Sequence, residues 1–347
     1  MTRARWAKLT LTLLFSGLFC IVALVVLIDP FEIYHRALFY NPPYKSSTQM
    51  YSIAGVAKSY AYDSIIIGSS VTENCTPSVY DAALGGRFVK LSMNAGLARD
   101  HAKVMDIAFR THDVKRVVYG LDLFAYSQYY TNQKAVTPDY LYDANPFNDV
   151  QYWFNQDVWL SEIPAALRRI GTPDEDASRD SMYYWQPPSM PTEDELYALA
   201  GLSPSMPKQT DTARGLELTQ LNLEHNLLPF IRAHRDTTFT IFFPPYSALY
   251  WAEQAQKGNL DSFLAQKLLL CEALLAEPNV ELYDFQLEAQ WTQDLSLYYD
   301  LIHYIPVVND GVADAIAAGR CRVTGMEQAY ASSEALHTIA CAYFPQM

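Results

Sequence analysis

Residues 9–28, LTLTLLFSGLFCIVALVVLI, run without a charged side chain and stop at Asp29-Pro30. A helix of about 20 residues rises about 30 Å, the thickness of a bilayer's hydrocarbon core, so this stretch is read as a transmembrane helix. Before it lies the basic tail MTRARWAK, residues 1–8, with Arg3, Arg5 and Lys8. Positive flanks stay in the cytoplasm, which puts everything after Asp29 outside. A cleaved signal peptide is the alternative. No small-x-small site precedes Asp29, the Leu-Phe before Cys20 lacks the small residue of lipoprotein processing, and the apolar run is long for a signal core. These features favour an uncleaved anchor.

Past a connecting collar, residues 29–60, apolar runs alternate with amphipathic ones. Strands are expected at 64–68 (SIIIG), 87–94, 115–124, 237–243 and 279–285. Helices are expected at 100–113, with Asp100 as its cap, at 216–234, 261–277 and 307–319. Strand–helix alternation implies βαβ units, so the fold class is α/β, a three-layer α/β/α arrangement around a mostly parallel five-stranded sheet. The segment at about 125–212 interrupts the alternation. It is rich in Tyr, Trp, Pro and Asp, and a structureless loop of that length is rare inside a domain, so it is read as a helical insertion or cap. The α/β domain spans 61–320, and 321–347 is a C-terminal segment.

The net charge is −13, with 25 Lys and Arg against 38 Asp and Glu. That balance argues against nucleic acid held by phosphate neutralisation. Outside the N-terminus it also argues against lying flat on an anionic lipid surface. Beyond the anchor, Cys75, Cys271, Cys321 and Cys341 allow up to two disulfides in an oxidising space, or remain buried thiols. No Cys/His spacing suggests a metal, and no organic cofactor is implied.

In parallel α/β sheets, sites gather at the carboxyl ends of strands. Gly68-Ser69-Ser70 stands at such an end. A serine is a weak nucleophile without a base, and far along the chain DLIH places Asp300 three residues before His303, so that a carboxylate can orient the imidazole. Each residue also has an ordinary use: Ser70 as a helix cap with Glu73 as its partner, His303 as a buried histidine, Asp300 as a solvated loop acid.

A serine after the first core strand, paired with a late Asp-x-x-His before the last helix, resembles the SGNH/GDSL hydrolase superfamily. GSS stands where that family has Gly-Asp-Ser, which maps its nucleophile onto Ser70, and DLIH maps Asp300 and His303 into the triad. An anchor followed by such a domain is similar to the membrane-anchored branch that includes the teichoic-acid D-alanyl transfer protein and the alginate O-acetylation proteins. The resemblance implies an esterase or O-acyltransferase outside the bacterial cytoplasmic membrane, a polysaccharide or glycan substrate and a membrane-bound O-acyltransferase partner. It places an oxyanion glycine at Gly96, or Arg99 in another register. Where the family has an Asn, this chain offers Asp122 or Phe124. Asn94 reads as a turn residue or an oxyanion donor. Asp122 is a candidate for substrate hydroxyls or, equally, for a structural hydrogen bond, and Tyr246, with Trp251, for stacking on a sugar or for local packing. Trp153, Trp159, Tyr183, Tyr184 and Trp185 in the insertion carry the same two readings. The competing class is an inactive scaffold of the same fold that binds glycan or a membrane complex.

Overall fold

The computed structural model describes residues 2–133, 137–171, 178–202 and 210–343. Parts of the 125–212 departure, at 134–136, 172–177 and 203–209, and the end of the C-terminal segment, 344–347, lie outside the described residues. The chain divides into two compact units: residues 2–60 with 137–171, and residues 61–133 with 178–202 and 210–343. The collar therefore shares a unit with the middle of the departure, and 178–202 goes with the sheet.

Isoleucine-rich β1 (Ser64–Gly68) is buried along its whole length, as its uninterrupted apolar run requires. It pairs in parallel with β2 (Phe88–Lys90) on one side and β3 (Arg116–Gly120) on the other. β4 (Thr238–Phe243) and β5 (Val280–Asp284) extend the parallel array, and β6 (Arg322–Val323) closes it antiparallel to β5. Among the described residues this is a six-stranded sheet in the order β2-β1-β3-β4-β5-β6. The expectation of five strands is corrected by β6, a two-residue edge too short to carry a periodic signal. The order reverses at β1, which makes the carboxyl ends of β1 and β3 the switch point of the sheet.

Two expected helices differ in detail. The helix at 100–113 runs Ala98–Thr111, and Asp100 is not its cap. The carboxylate sits in the first turn and accepts the Leu97 amide at 2.9 Å. The expected single helix at 216–234 is Thr212–Asn222, a π-helical turn Leu223–Leu227 and Leu228–Ala233. Pro229 has no amide to give the preceding turn, and the wider turn absorbs that loss. A further helix, Met326–Ala342, docks against Leu260–Leu275 and β6. At that junction Lys267 is fully buried, 2.6 Å from Asp284 at the end of β5 and 3.1 Å from Ser332 Oγ.

The first unit holds the one helix among the described residues that is long and apolar enough to cross a membrane, Arg3–Ile28, with a mean hydropathy of 2.9 over its best window. Its C-terminal end is closed by Asp29, left-handed at φ 44°, whose amide bonds to Val25 O. The Asp29 carboxylate accepts the amides of Ile33, Tyr34 and His35 and the Tyr152 hydroxyl, between 2.7 and 3.0 Å.

All five cysteines are free thiols. The disulfide alternative is thereby corrected. Cys75 and Cys271 are buried, and burial pushes both thiols up to about 12.

Candidate active site

β1 ends in Gly68, at φ 150°, paired in register with Gly120 at the end of β3. A Cβ on Gly68 would stand 2.9 Å from Gly120 O and from Thr72 Oγ1, and one on Gly120 would stand 2.6 Å from Thr72 Cγ2. The two glycines thus let Thr72 fold down over the strand ends. Thr72 Oγ1 caps the turn by donating to Ser69 O at 2.9 Å and shares a second hydrogen bond with the Ser92 hydroxyl beyond β2. The result is a tight 3-10 turn, Ser70–Thr72, with Ser69 and Ser70 facing different ways.

Ser69 Oγ is buried against the Asp122 carboxyl, without a well-aligned hydrogen bond of its own. Ser70 Oγ meets His303 Nε2 at 2.7 Å. His303 Nδ1 lies 2.6 Å from Asp300 Oδ2, and Asp300 Oδ1 accepts the amides of Ile302 and His303, both at 2.8 Å. The Tyr299 amide donates to His303 O at 2.8 Å, and Tyr298 bridges to Tyr304, so 298–304 is a closed loop with Asp300 near its apex. Burial pushes the Asp300 carboxyl up, but the His303 ring and the two amides outweigh it, and the net shift is downward. Ser70 is 8% exposed and the His303 side chain 18%, so solvent reaches the pair through a narrow opening.

Beneath the turn, Lys90 of β2 is completely buried and donates to Cys75 O at 3.0 Å, to Asp180 O at 3.3 Å and to Glu73 O. Burial pulls its ammonium down to about 8. A lysine here gathers two carbonyls of the irregular 73–75 backbone, together with that of Asp180, which burial would otherwise leave unsatisfied.

The other sequence candidates part from the site. Gly96 is no free oxyanion donor. Its amide is taken by Met93 O at 2.9 Å, and a Cβ there would meet the His101 ring at 2.7 Å, so close packing is what the position demands. Asn94 and Ala95, the latter at φ 45°, are the middle residues of that Met93–Gly96 turn, and Asn94 is exposed. The next amide, Leu97, is engaged by Asp100. Arg99 sits half-buried in the following helix, and no hydrogen bond or ion pair among the described residues links it to Ser70, Asp300 or His303.

Asp122 is fully buried, so of its two readings the structure shows the structural hydrogen bond rather than a contact open to substrate hydroxyls. It accepts the Tyr246 hydroxyl, and burial raises its carboxyl to about 6 against the lowering effects of Ser69, Tyr246 and His303. Phe124 follows in the short helix Leu123–Tyr126. Tyr246 and Trp251 are buried as well, at 2% and 0%, and have no face open to a sugar.

Trp185 is the site residue that sequence reasoning left undecided. Its indole stands edge-on to the His303 ring, with centroids 5.0 Å apart, and against Tyr299 at 5.4 Å. Asn74, four residues past Ser70, fixes it by a two-way backbone clasp: Asn74 Nδ2 donates to Trp185 O at 2.8 Å, and Trp185 N donates to Asn74 Oδ1 at 3.0 Å. A lone Asn in a polar turn gives no hint of a tryptophan 111 residues on.

Among the described residues no cluster of His, Cys, Asp or Glu is arranged to hold a metal ion. Comparisons with family models, with curated proteins and with solved structures find no match to this chain.

Proposed function

We propose that the chain is a membrane-anchored serine esterase or O-acyltransferase of SGNH type, with an α/β/α layering and its α/β domain outside the bacterial cytoplasmic membrane. The observation that carries the reading is the hydrogen-bonded series Ser70–His303–Asp300, assembled from residues 233 positions apart at the carboxyl end of β1. Asp300 orients His303 with Nδ1 protonated, leaving Nε2 to accept the Ser70 proton. Ser70 Oγ then attacks the acyl carbonyl. The tetrahedral intermediate collapses as His303 returns the proton to the leaving alcohol oxygen, and an acyl ester remains on Ser70. A sugar hydroxyl or water gives its proton to His303, attacks that ester, and restores the Ser70 hydroxyl. With the Gly96 and Leu97 amides engaged, the Ser70 amide at the start of its turn is the backbone donor assigned to the developing oxyanion. The acceptor is a cell-surface or exported polysaccharide, and the acyl group arrives from a membrane-bound O-acyltransferase partner. Both assignments rest on the resemblance rather than on the geometry.

One observation favours a second reading, a non-catalytic scaffold for glycan or a membrane complex: the position of the family's oxyanion Asn holds a buried carboxylate, Asp122. A fluorophosphonate probe separates the two. The enzyme labels at Ser70, and labelling vanishes in Ser70→Ala and His303→Ala. No labelling of the wild-type chain leaves the scaffold.

A further inference from the structure

The membrane helix is bare on every side for only part of its length. From Thr2 to Cys20 its side chains are exposed; from Ile21 onward the unit covers one side of it, burying Val25 and Ile28 while Leu24 and Leu27 stay exposed. The part that is bare all round and apolar, residues 9–20, rises about 18 Å, whereas a bilayer core needs about 30 Å. To reach across, the helix must carry its covered last turns into the hydrocarbon, and with them the segments that cover them.

Those segments are built for that depth. Val150–Trp153 and Ile163–Arg168 both pack on the Arg3–Ile28 helix. Val158, Ile163 and Ala166 face inward, while Leu160 and Leu167, seven residues apart, point outward at 70% and 46% exposure. Phe147, Phe154, Ile170 and Leu38 of the same unit are also exposed, Phe147 at 87%. Between Phe147 and Leu167 the only charged side chain left exposed is Asp157. In water such a surface is costly. Three of the aromatic hydrogen-bonding groups in it are paired within the unit, as an environment without water favours. Tyr34 Oη donates to Asp149, Trp153 Nε1 to Tyr34 Oη, and Trp159 Nε1 to Trp153 O, between 2.7 and 3.0 Å. Cations follow directly, at Arg168 and Arg169. Arg169 lines a cavity of about 400 Å³ with Leu38, Phe39 and Asn41, where a phosphate headgroup can meet the guanidinium above apolar walls.

The geometry points to a second membrane contact: the unit formed by residues 29–60 and 137–171 inserts its outer apolar face among the phospholipids of the leaflet from which the Arg3–Ile28 helix emerges. The inference rests on that helix being a span, and it goes beyond a single-helix anchor.

The full chain, reconstituted in liposomes doped with a phospholipid carrying a diazirine on its acyl chain, is irradiated and the adducts are mapped by mass spectrometry. Adducts in 147–170 and at 38–39, in addition to those in 9–28, are expected. The pair Leu160→Asp and Leu167→Asp should lose the adducts in 147–170 and keep those in 9–28. A water-soluble carbene reagent gives the complementary footprint on the unmodified chain, so a variant that fails to fold does not blur the result. Adducts confined to 9–28, with Phe147 and Leu160 labelled from water, overturn the second contact and leave the span intact. Absence of adducts from 9–28 overturns both.

Discussion

Asp300 holds His303 at two points: Oδ2 receives the ring at Nδ1, 2.6 Å away, and Oδ1 receives the backbone amide of the same residue at 2.8 Å. Ring and backbone are thus referenced to one carboxylate. Asp300→Asn keeps the shape but offers an amide where the ring needs an acceptor, so the imidazole turns or takes the wrong tautomer. By comparison with other Ser-His-Asp sites, turnover of an acyl-ester substrate should fall about 10⁴-fold. The Asp300 carboxyl is shifted downward, so its contribution to stability is fully present above its ordinary value of 3.8 and is lost only as pH falls through the lower folded value. Thermal unfolding scans of wild type and Asp300→Asn should therefore converge in acid and separate above about pH 4.

Asp122 has the opposite sign. Burial raises its carboxyl from 3.8 to about 6. Its contribution is fully present below the unfolded value, and it is lost as pH rises through about 6. Two units correspond to roughly 3 kcal/mol. Asn at this position still accepts the Tyr246 hydroxyl and never ionises. Asp122→Asn should thus gain on wild type between pH 4 and 7, by up to roughly 3 kcal/mol in the thermal unfolding of detergent-solubilised protein. Parallel curves across that range would refute a buried, titrating Asp122.

Trp185 packs its edge on His303, a contact of about 0.5–1.5 kcal/mol between aromatic rings. Trp185→Ala frees the imidazole to leave Ser70 and opens the pair to water. A fall in kcat/KM of about tenfold is expected, with Trp185→Phe recovering most of it. Equal losses in both variants would instead assign the effect to the indole N–H, which has no hydrogen-bond partner among the described residues.

What the sequence reveals and what it hides follow from range. Ser70 closes a strand that is apolar from end to end, and Asp300 and His303 are three apart on one loop, so each half of the series is local and readable. Tyr246 and Asp122, 124 residues apart, meet only in the fold, and nothing near either betrays the other. Met326–Ala342 is obscured for another reason. Its inward face is Ala329, Ser332, Ser333, Leu336 and Ala340, mostly small and partly polar, so the buried side has little of the hydrophobic contrast by which a helix is recognised. Gly96 misleads in the other direction: its glycine is demanded by close packing on the His101 ring and not by an oxyanion loop.

The Lys267–Asp284 pair tests how that last helix is held. Both groups are almost without solvent, at 0% and 5% exposure, and Ser332 of the helix hydrogen-bonds both. Lys267→Met strands a buried carboxylate, which should cost about 3–5 kcal/mol, whereas Lys267→Met with Asp284→Leu should recover most of the loss. Denaturant titrations of the wild type and the two variants measure the difference. A double variant as weak as the single one would show that the pair does more than neutralise itself.

Gly68 is the position on which the serine turn depends, and it is restricted twice. Its φ of 150° lies outside the range of L side chains, and an added Cβ would press on Gly120 O and Thr72 at 2.9 Å. Gly85, at φ 72° with nothing within 4 Å of its Cβ direction, has the first restriction alone. Gly85→Ala should cost about 1 kcal/mol from backbone strain. Gly68→Ala adds a steric term and should cost about 3 kcal/mol or more. The strain has one easy relief, a shift of 69–72 away from β3, and that shift carries Ser70 Oγ away from His303. Gly68→Ala should therefore lose fluorophosphonate labelling under conditions where its thermal unfolding shows the protein still folded, while Gly85→Ala labels as wild type does. Retained labelling in folded Gly68→Ala would mean that the glycine pair does not set the position of Ser70 Oγ.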